Sequence, residues 1–317
     1  MIAIDFRAKI FYNMDIPFYL LTFTLQEKEG IYMNSIKTVF LMTLMAVILM
    51  AVGAVFGGRQ GIVVMFMVAM AMNFFSYWFS DSVVLRMYHA GEVGPDHRLY
   101  RIVAELVQRA DMPMPKVYII PTDVPNAFAT GRSPSHAAVA ATEGIIAMLN
   151  DDEIRGVLGH ELSHILHRDI LISTIVATFA GAISMLANIA QWSAIFGGGR
   201  NSDDDNGGII GLLVTIIVAP LAAMLIQLSI SRTREYMADD EGGRMTDEPL
   251  ALARALEKID AYARHRVLPG VTEATAHMCI INPFSGVRRG MANLFSTHPS
   301  TADRIARLEK LDRELHG

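Results

Sequence analysis

The segment DDEIRGVLGHELSH, residues 151–164, decides how this chain of 317 residues is interpreted. Acidic residues begin it and apolar residues follow at helical spacing, so it predicts one helix. Residues four apart lie on one face of a helix, which places His160 and His164 side by side. Two neutral imidazoles at that spacing can bind one zinc ion and leave Glu161 beside the metal, free to accept a proton from water. The segment therefore predicts a hydrolytic zinc site carried by a helix.

A catalytic zinc ion needs a third protein ligand, and the sequence offers two. His167 lies about 4.5 Å further along the helix axis than the second histidine, so we interpret it as a polar residue at the helix end. Glu235 opens a charged helix at SRTREYMADD, residues 231–240. Asp239 lies four residues later on the same face, which suits Glu235 as a ligand and Asp239 as a carboxylate that orients a ligand histidine. The alternative is a solvated, charged helix start.

Four apolar windows account for an unusual composition. Hydrophobic residues make up 52% of the sequence and charged residues 19%, against about 25% charged in ordinary soluble domains. No Asp, Glu, Lys or Arg occurs in residues 38–56, 61–79, 170–196 and 209–230. Each window can cross a bilayer core of about 30 Å at about 1.5 Å per residue. The composition argues against disorder, against a secreted disulfide scaffold and against a simple soluble domain.

The windows pair into two predicted transmembrane hairpins, residues 35–80 and 170–230. A Gly-rich turn at 57–60 joins the first pair, and a polar, Gly-rich loop at 197–208 joins the second. A buried core helix is the alternative for any one window, and polar residues in the second hairpin keep that alternative open there. A secretory signal peptide is a weaker alternative for the first window.

Positive charge predicts the orientation of these hairpins. Lys and Arg flank their outer ends, whereas each hairpin loop holds one Arg. The positive-inside rule therefore places both soluble segments, residues 81–169 and 231–317, and both termini in the cytoplasm. The single cysteine, Cys279, excludes an internal disulfide and suits that compartment. Residues 1–34 are interpreted as an N-terminal extension, with Met33 as an alternative start of translation.

The chain resembles the bacterial HtpX-type membrane metalloproteases, which are relatives of the CAAX-prenyl endopeptidases. The resemblance extends from Met33 to the C-terminus. Four sequence motifs carry it together with the apolar windows: PNAFATG at 125–131, HELSH at 160–164, SRTREYMAD at 231–239, and THPST at 297–301 with Arg304. It implies that His160, His164 and Glu235 bind one zinc ion per chain and that Glu161 is the catalytic base.

The same resemblance implies a fold and a function. We expect an α+β, mostly helical integral membrane protein with four transmembrane helices and a zincin-like cytoplasmic metalloprotease domain that carries a small β-sheet. The expected activity is zinc-dependent endoproteolysis of misfolded or damaged membrane proteins, as part of quality control under stress. The expected location is the cell inner membrane, and the expected partners are protein substrates and the lipid bilayer, with no nucleic acid.

Two further groups of residues complete the predicted site. Small or β-prone residues at 126–130 and 137–142 flank a predicted turn at 131–134. An exposed strand there could bind an extended substrate through main-chain hydrogen bonds, and its residues would be Asn126, Ala127, Phe128 and Ala129. The alternative is an ordinary hairpin beside a core helix.

His298 and Arg304 are six residues apart, and Pro299 between them marks a helix start. If both reach the zinc cleft, they could donate hydrogen bonds to the oxyanion that forms during attack. The alternative for Arg304 is a salt bridge made from an amphipathic helix at 302–315.

Two other classes of protein stay open at this point. The first is a non-catalytic membrane scaffold with structural zinc, although such sites are commonly Cys-rich and this chain has one cysteine. The second is a transporter with polar residues along a path, although none of the four windows contains an ionisable acid or base. Chelator-sensitive cleavage of an unfolded protein would separate a protease from both.

Overall fold

The computed structural model describes residues 18–176, 232–264, 280 and 299–317. Its elements, in chain order, are α1 (Phe18–Met87), β1 (Gly91–Glu92), α2 (Arg98–Arg109), β2 (Lys116–Ile120), β3 (Ala127–Ser133), β4 (His136–Thr142), α3 (Glu143–Met148), α4 (Asp151–Leu166), α5 (Arg232–Thr246), α6 (Pro249–Arg264) and α7 (Thr301–His316). Residues 170–176 are also helical. A mostly helical fold with a small β-sheet, as predicted, is confirmed.

The long element α1 consists of two helices that meet at a kink. Gly58 has φ 53° and ψ −135°, a backbone conformation that glycine adopts readily. The helices before and after the kink are in contact with each other, because a Cβ added to Gly53 would lie 2.3 Å from the carbonyl oxygen of Gly61. Further along, the side-chain amide of Asn73 donates to the carbonyl oxygen of Met42 at 3.1 Å. The two helices therefore run antiparallel, with their reversal inside residues 57–60.

Among the described residues, one helix is long and apolar enough to cross a membrane, Gly57–Phe79. Most of its side chains are exposed, including Met67 and Phe75. A shorter apolar helix, Ser35–Ala51, lies before it. Most of the third predicted window, all of the fourth, and residues 1–17 of the predicted extension lie outside the described residues.

The helix that follows the kink continues beyond the predicted end of the first hairpin at residue 80. It reaches Met87, and its last turns contact the sheet. Val84 and Leu85 are buried against Phe128 and Ala140. Packing against the sheet therefore extends the helix past the end of the apolar window.

The four-stranded sheet has the order β1-β2-β4-β3. Strands β2 and β4 are parallel, and the other two pairs are antiparallel. Side chains alternate between the faces of a strand, so residues such as Ala129 and Val139 join the main core while Phe128 and Ala140 face α1. The main core also contains apolar side chains of α2, α4, α6 and α7. Strand β3 lies at the edge of the sheet beside α4.

The turn between β3 and β4 lies later than the sequence predicted. Strand β3 extends to Ser133, so residues 131–133 belong to the strand and the reversal is at residues 134–135. Gly131 has φ 134°, and a Cβ there would lie 2.2 Å from the carbonyl oxygen of His136. The register shifts between Gly131 and Ser133. The glycine therefore forms a β-bulge inside the hairpin, not its turn.

Candidate metal centre

Helix α4 begins with a capping box that the sequence interpretation overlooked. The Asn150 side chain accepts a hydrogen bond from the Glu153 N–H at 2.9 Å, and the Glu153 carboxylate accepts from the Asn150 N–H at 3.0 Å. Glu153 is buried and also pairs with Lys258 at 2.7 Å. Reciprocal capping satisfies backbone donors that a helix start leaves free. The cap fixes the first turn of the helix that carries both histidines.

Glycines allow α4 and α5 to approach closely. A Cβ on Gly242 of α5 would lie 2.7 Å from the His160 nitrogen and 2.8 Å from the Gly159 carbonyl carbon. A Cβ on Gly159 would lie 3.1 Å from the carbonyl oxygen of Gly242. The two helix backbones are therefore in contact beside the first histidine. This contact places Glu235, in the first turn of α5, opposite both imidazoles.

His160, His164 and Glu235 form a compact donor set. The two Nε2 atoms are 3.2 Å apart. The Glu235 carboxylate oxygens lie 3.8 Å from His160 Nε2 and 3.7 Å from His164 Nε2. A tetrahedral zinc ion holds histidine nitrogens at about 2.0–2.1 Å, which separates two of them by about 3.3 Å. Two imidazoles and one carboxylate at this spacing fit a zinc ion with one position open for water or substrate.

A carboxylate holds the outer nitrogen of each histidine. His160 Nδ1 lies 3.0 Å from Asp239 Oδ1, as the sequence led us to expect for a ligand histidine. His164 Nδ1 lies 3.1 Å from Asp169 Oδ2, a residue that the sequence interpretation missed. Such partners fix the tautomer and direct Nε2 toward the metal. A signal for Asp169 existed, because it is the last charged residue before the third apolar window.

Arg304 is a buried side chain next to the predicted zinc ligands His160 and Glu235. Its side chain is 1% exposed. Its Nε and Nη2 donate to the Asp239 carboxylate at 2.8 Å and 2.6 Å, and its Nη1 donates to the carbonyl oxygen of Ile280 at 2.8 Å. Nη1 is 3.9 Å from Glu235. Arg304 therefore contacts Asp239 directly, and its Nη2 also lies 3.4 Å from His160 Nδ1 and 3.5 Å from His160 Nε2.

His167, the other histidine considered as a ligand, lies at the end of α4. His167 is the C-cap of α4, in keeping with a polar residue at the helix end, and it is not part of the His–His–Glu set. His298 lies outside the described residues. Helix α7 begins at Thr301, after the N-cap Ser300, whose side chain accepts from the Asp303 N–H.

Burial and charge shift the acid–base properties of the site in opposite directions. Burial raises the pKa of Glu161, although the neighbouring histidines oppose that shift. Burial alone would lower the pKa of His164, but the hydrogen bond to Asp169 and the charge of Glu235 outweigh it and raise that pKa to about 9. Burial would raise the pKa of Asp239, as it does for Glu161, but the charge of Arg304 outweighs burial and holds the pKa of Asp239 below its usual value. A histidine ligand must be neutral, so proton binding at His164 competes with metal binding.

The edge strand β3 contacts the catalytic-base candidate directly. The Ala129 N–H donates to Glu161 Oε2 at 3.0 Å. In antiparallel pairs, hydrogen-bonded residues alternate with residues whose N–H and C=O point away from the partner strand. The Thr142 N–H donates to the Asn126 carbonyl, so the polar groups of Ala127 and Ala129 point away from β4. Asn126 itself precedes the strand, and its side chain accepts from the Ile280 N–H at 3.2 Å.

Comparisons with known proteins match most of this chain. Residues 94–312 match peptidase family M48. The protein called "Protease HtpX homolog" of Campylobacter hominis is 50% identical over 285 residues, which are 89% of this chain and 100% of that protein. The protein of the same name from Pyrococcus furiosus is 51% identical over 282 residues, 88% of this chain and 96% of that one. Ste24p of S. mikatae superposes with a TM-score of 0.46 at 18% identity, and the match covers 89% of this chain and 67% of the Ste24p chain.

Proposed function

We propose a metal and a substrate for this chain, which belongs to peptidase family M48 and is a membrane-associated metalloendopeptidase. It binds one zinc ion through His160, His164 and Glu235. It cleaves misfolded or damaged membrane proteins. The observation that carries the proposal is the convergence of these three side chains, with their metal-binding atoms all within 4.8 Å of one another. Glu161 stands beside this set without belonging to it, which leaves its carboxylate available for proton transfer.

Glu161 acts as the general base and then as the general acid. When bound, zinc would polarise the scissile carbonyl and lower the pKa of a water molecule toward about 7. Glu161 accepts the proton of the attacking water and delivers it to the leaving amine. The Ala129 N–H at 3.0 Å from Oε2 holds the carboxylate in place. Burial raises the pKa of Glu161, which brings its basicity closer to what proton transfer near neutral pH requires.

Strand β3 binds the substrate as an added strand. Ala127 directs its main-chain N–H and carbonyl, and Ala129 its carbonyl, away from β4 on the edge beside α4, which supports pairing with an extended peptide, while the Ala129 N–H is bound to Glu161. Phe128 contributes neither group to the peptide, because its main-chain groups face β4 and its ring packs against Tyr88 at a centroid separation of 5.4 Å. Asn126 anchors the start of the strand through its bond to Ile280. Main-chain recognition of this kind suits a protease that acts on many unfolded sequences.

His298 and Arg304 take different roles. We assign the oxyanion donor to His298, which in the sequence is two residues before Ser300, the N-cap of α7. Arg304 compensates the negative charge of Asp239, because its guanidinium makes two hydrogen bonds to that carboxylate. Asp239 in turn orients His160 through Nδ1.

The chain spans the inner membrane four times, with its catalytic domain and both termini in the cytoplasm. Residues 1–34 are an extension, 35–80 and 170–230 are membrane hairpins, and 81–169 and 231–317 are the two parts of the protease domain. The exposed apolar helix Gly57–Phe79 supports membrane insertion. Ile172 and Val176, which follow α4 by a few residues, pack against Leu41 of α1, so the site lies next to the apolar hairpin. That position suits substrates presented at the membrane surface.

The test is proteolysis of an unfolded, fluorescently labelled casein by the full chain in detergent. We expect cleavage that a chelator abolishes and that zinc restores. A protein that binds zinc and cleaves nothing would contradict the proposal and leave the scaffold interpretation. Cleavage that persists after the metal is removed would contradict the assigned chemistry.

A further inference from the structure

We propose that Asp169 is a positioning residue for the zinc ligand His164, an inference that rests on the proposed function and deepens it. The Asp169 carboxylate would hold the imidazole with Nδ1 outward and Nε2 toward the metal. Asp239 does the same for His160, so each histidine would have its own acidic partner. The sequence pattern around HELSH does not contain this partner, because it lies beyond the end of the helix.

The contact itself is short and buried. His164 Nδ1 and Asp169 Oδ2 are 3.1 Å apart. The side chain of Asp169 is 6% exposed and that of His164 is 16% exposed. A charge-assisted hydrogen bond in such a place is strong, because little water competes for either partner. The bond therefore restricts rotation of the ring about its axis.

The backbone brings Asp169 to this position through the way α4 ends. Arg168 has φ 58°, which reverses the chain after the C-cap. The Asp169 N–H then donates to the carbonyl oxygen of His164 at 2.9 Å, and the Arg168 N–H donates to that of Ile165 at 3.1 Å. This is the Schellman pattern of helix termination. Asp169 is thus joined to His164 twice, once through the main chain and once through the side chain.

Neighbouring elements flank Asp169 on two sides. Arg234, on α5, lies with Nη1 4.0 Å from Asp169 Oδ1. Arg234 precedes the ligand Glu235, so Asp169 lies between the two helices that supply the ligands. On its other side, residues 170–176 pack against Leu41 and Met45 of α1. The segment that carries Asp169 is therefore held between the first turn of α5 and the apolar packing on α1.

The test measures zinc affinity, because that readout does not depend on cleavage. Full-length Asp169→Ala and Asp169→Asn variants are purified in detergent, and their zinc dissociation constants are measured by competition with a chromophoric chelator. Removal of such a partner typically weakens metal binding about 10–100-fold. We expect about a hundredfold loss for Asp169→Ala and about tenfold for Asp169→Asn, which can still accept a hydrogen bond but lacks the charge.

The matched control is Asp240→Asn, which removes an equal charge from an exposed residue of α5 that pairs with Arg244. It should bind zinc like the wild type. The proposal is overturned if Asp169→Asn binds zinc within about twofold of the wild type, or if Asp240→Asn weakens binding equally. The Asn variant decides the matter if Asp169→Ala does not fold.

The cobalt-substituted proteins add a spectroscopic readout, because a reoriented His164 changes the visible absorption of the bound ion while a merely structural role would not. Loss of zinc affinity in a chain whose wild type cleaves nothing would sustain this inference and refute the proposed function alone.

Discussion

Substitution of Gly242 by Ala is expected to damage the zinc site without touching a ligand. The added Cβ would lie 2.7 Å from the His160 nitrogen and 2.8 Å from the Gly159 carbonyl carbon. Both atoms belong to the backbone of α4 and cannot rotate away. The helices must separate by about 0.7 Å to restore ordinary contact near 3.4 Å.

The magnitude follows from two opposing terms. Overpacking costs about 1–3 kcal/mol, whereas replacing Gly by Ala inside a helix gains about 1 kcal/mol. The stability of the fold should therefore fall by at most about 2 kcal/mol. The site is less tolerant, because ligands must hold position within about 0.5 Å, and a misplacement of about 1 Å costs about a hundredfold in rate. We expect zinc affinity to fall at least about tenfold and turnover about a hundredfold.

The matched control is Gly243→Ala. Its Cβ would meet the flexible end of Leu311 at 2.7 Å and Pro249 at 3.3 Å, away from the histidines. The gain in helix propensity is the same at both positions, so the difference between the variants isolates the α4–α5 contact. Zinc titration and turnover of both proteins are the assays. Wild-type zinc affinity and turnover in Gly242→Ala would refute the reasoning.

Two further predictions concern residues around the site. Arg304→Gln leaves the carboxylate of Asp239 buried without its cation and should destabilise the protein by about 3–5 kcal/mol in chemical denaturation. Arg304→Lys should recover part of that loss. Equal stability of Arg304→Gln and the wild type would exclude the role of Arg304 in charge compensation. Asn150→Ala removes the N-cap of α4 and should cost about 1 kcal/mol of stability, with Asn150→Asp near wild type. Zinc affinity should not change in Asn150→Ala, and a large change there would mean that the helix start reaches the site more directly than its position indicates.

The sequence alone predicted the residues of the site better than their surroundings. The spacing of His160 and His164 implies a shared helix face, and Glu235 with Asp239 repeats that spacing on a second helix, so local periodicity predicts both pairs. Asp169 follows a left-handed residue after the helix end, where periodicity no longer applies. Its contact with His164 depends on chain reversal, which no spacing rule predicts.

Long-range packing explains the other differences. Gly159 and Gly242 lie inside helices, where glycine is usually unfavourable, and only their mutual contact shows why glycine is needed there. The β-bulge at Gly131 likewise read as a turn, because both use a glycine with positive φ. The helix after Gly58 runs past residue 80 because Val84 and Leu85 pack on the sheet, a contact that hydropathy does not report.

The most direct test of the central claim is a paired measurement on Glu161→Gln in the full chain. Its bound zinc is measured by elemental analysis, and its cleavage of unfolded casein is compared with that of the wild type in the same detergent. We expect one equivalent of zinc in both proteins and no detectable cleavage by the variant, because the amide cannot accept the proton of the attacking water. A zinc-loaded Glu161→Gln protein that cleaves casein at the wild-type rate would contradict the central claim.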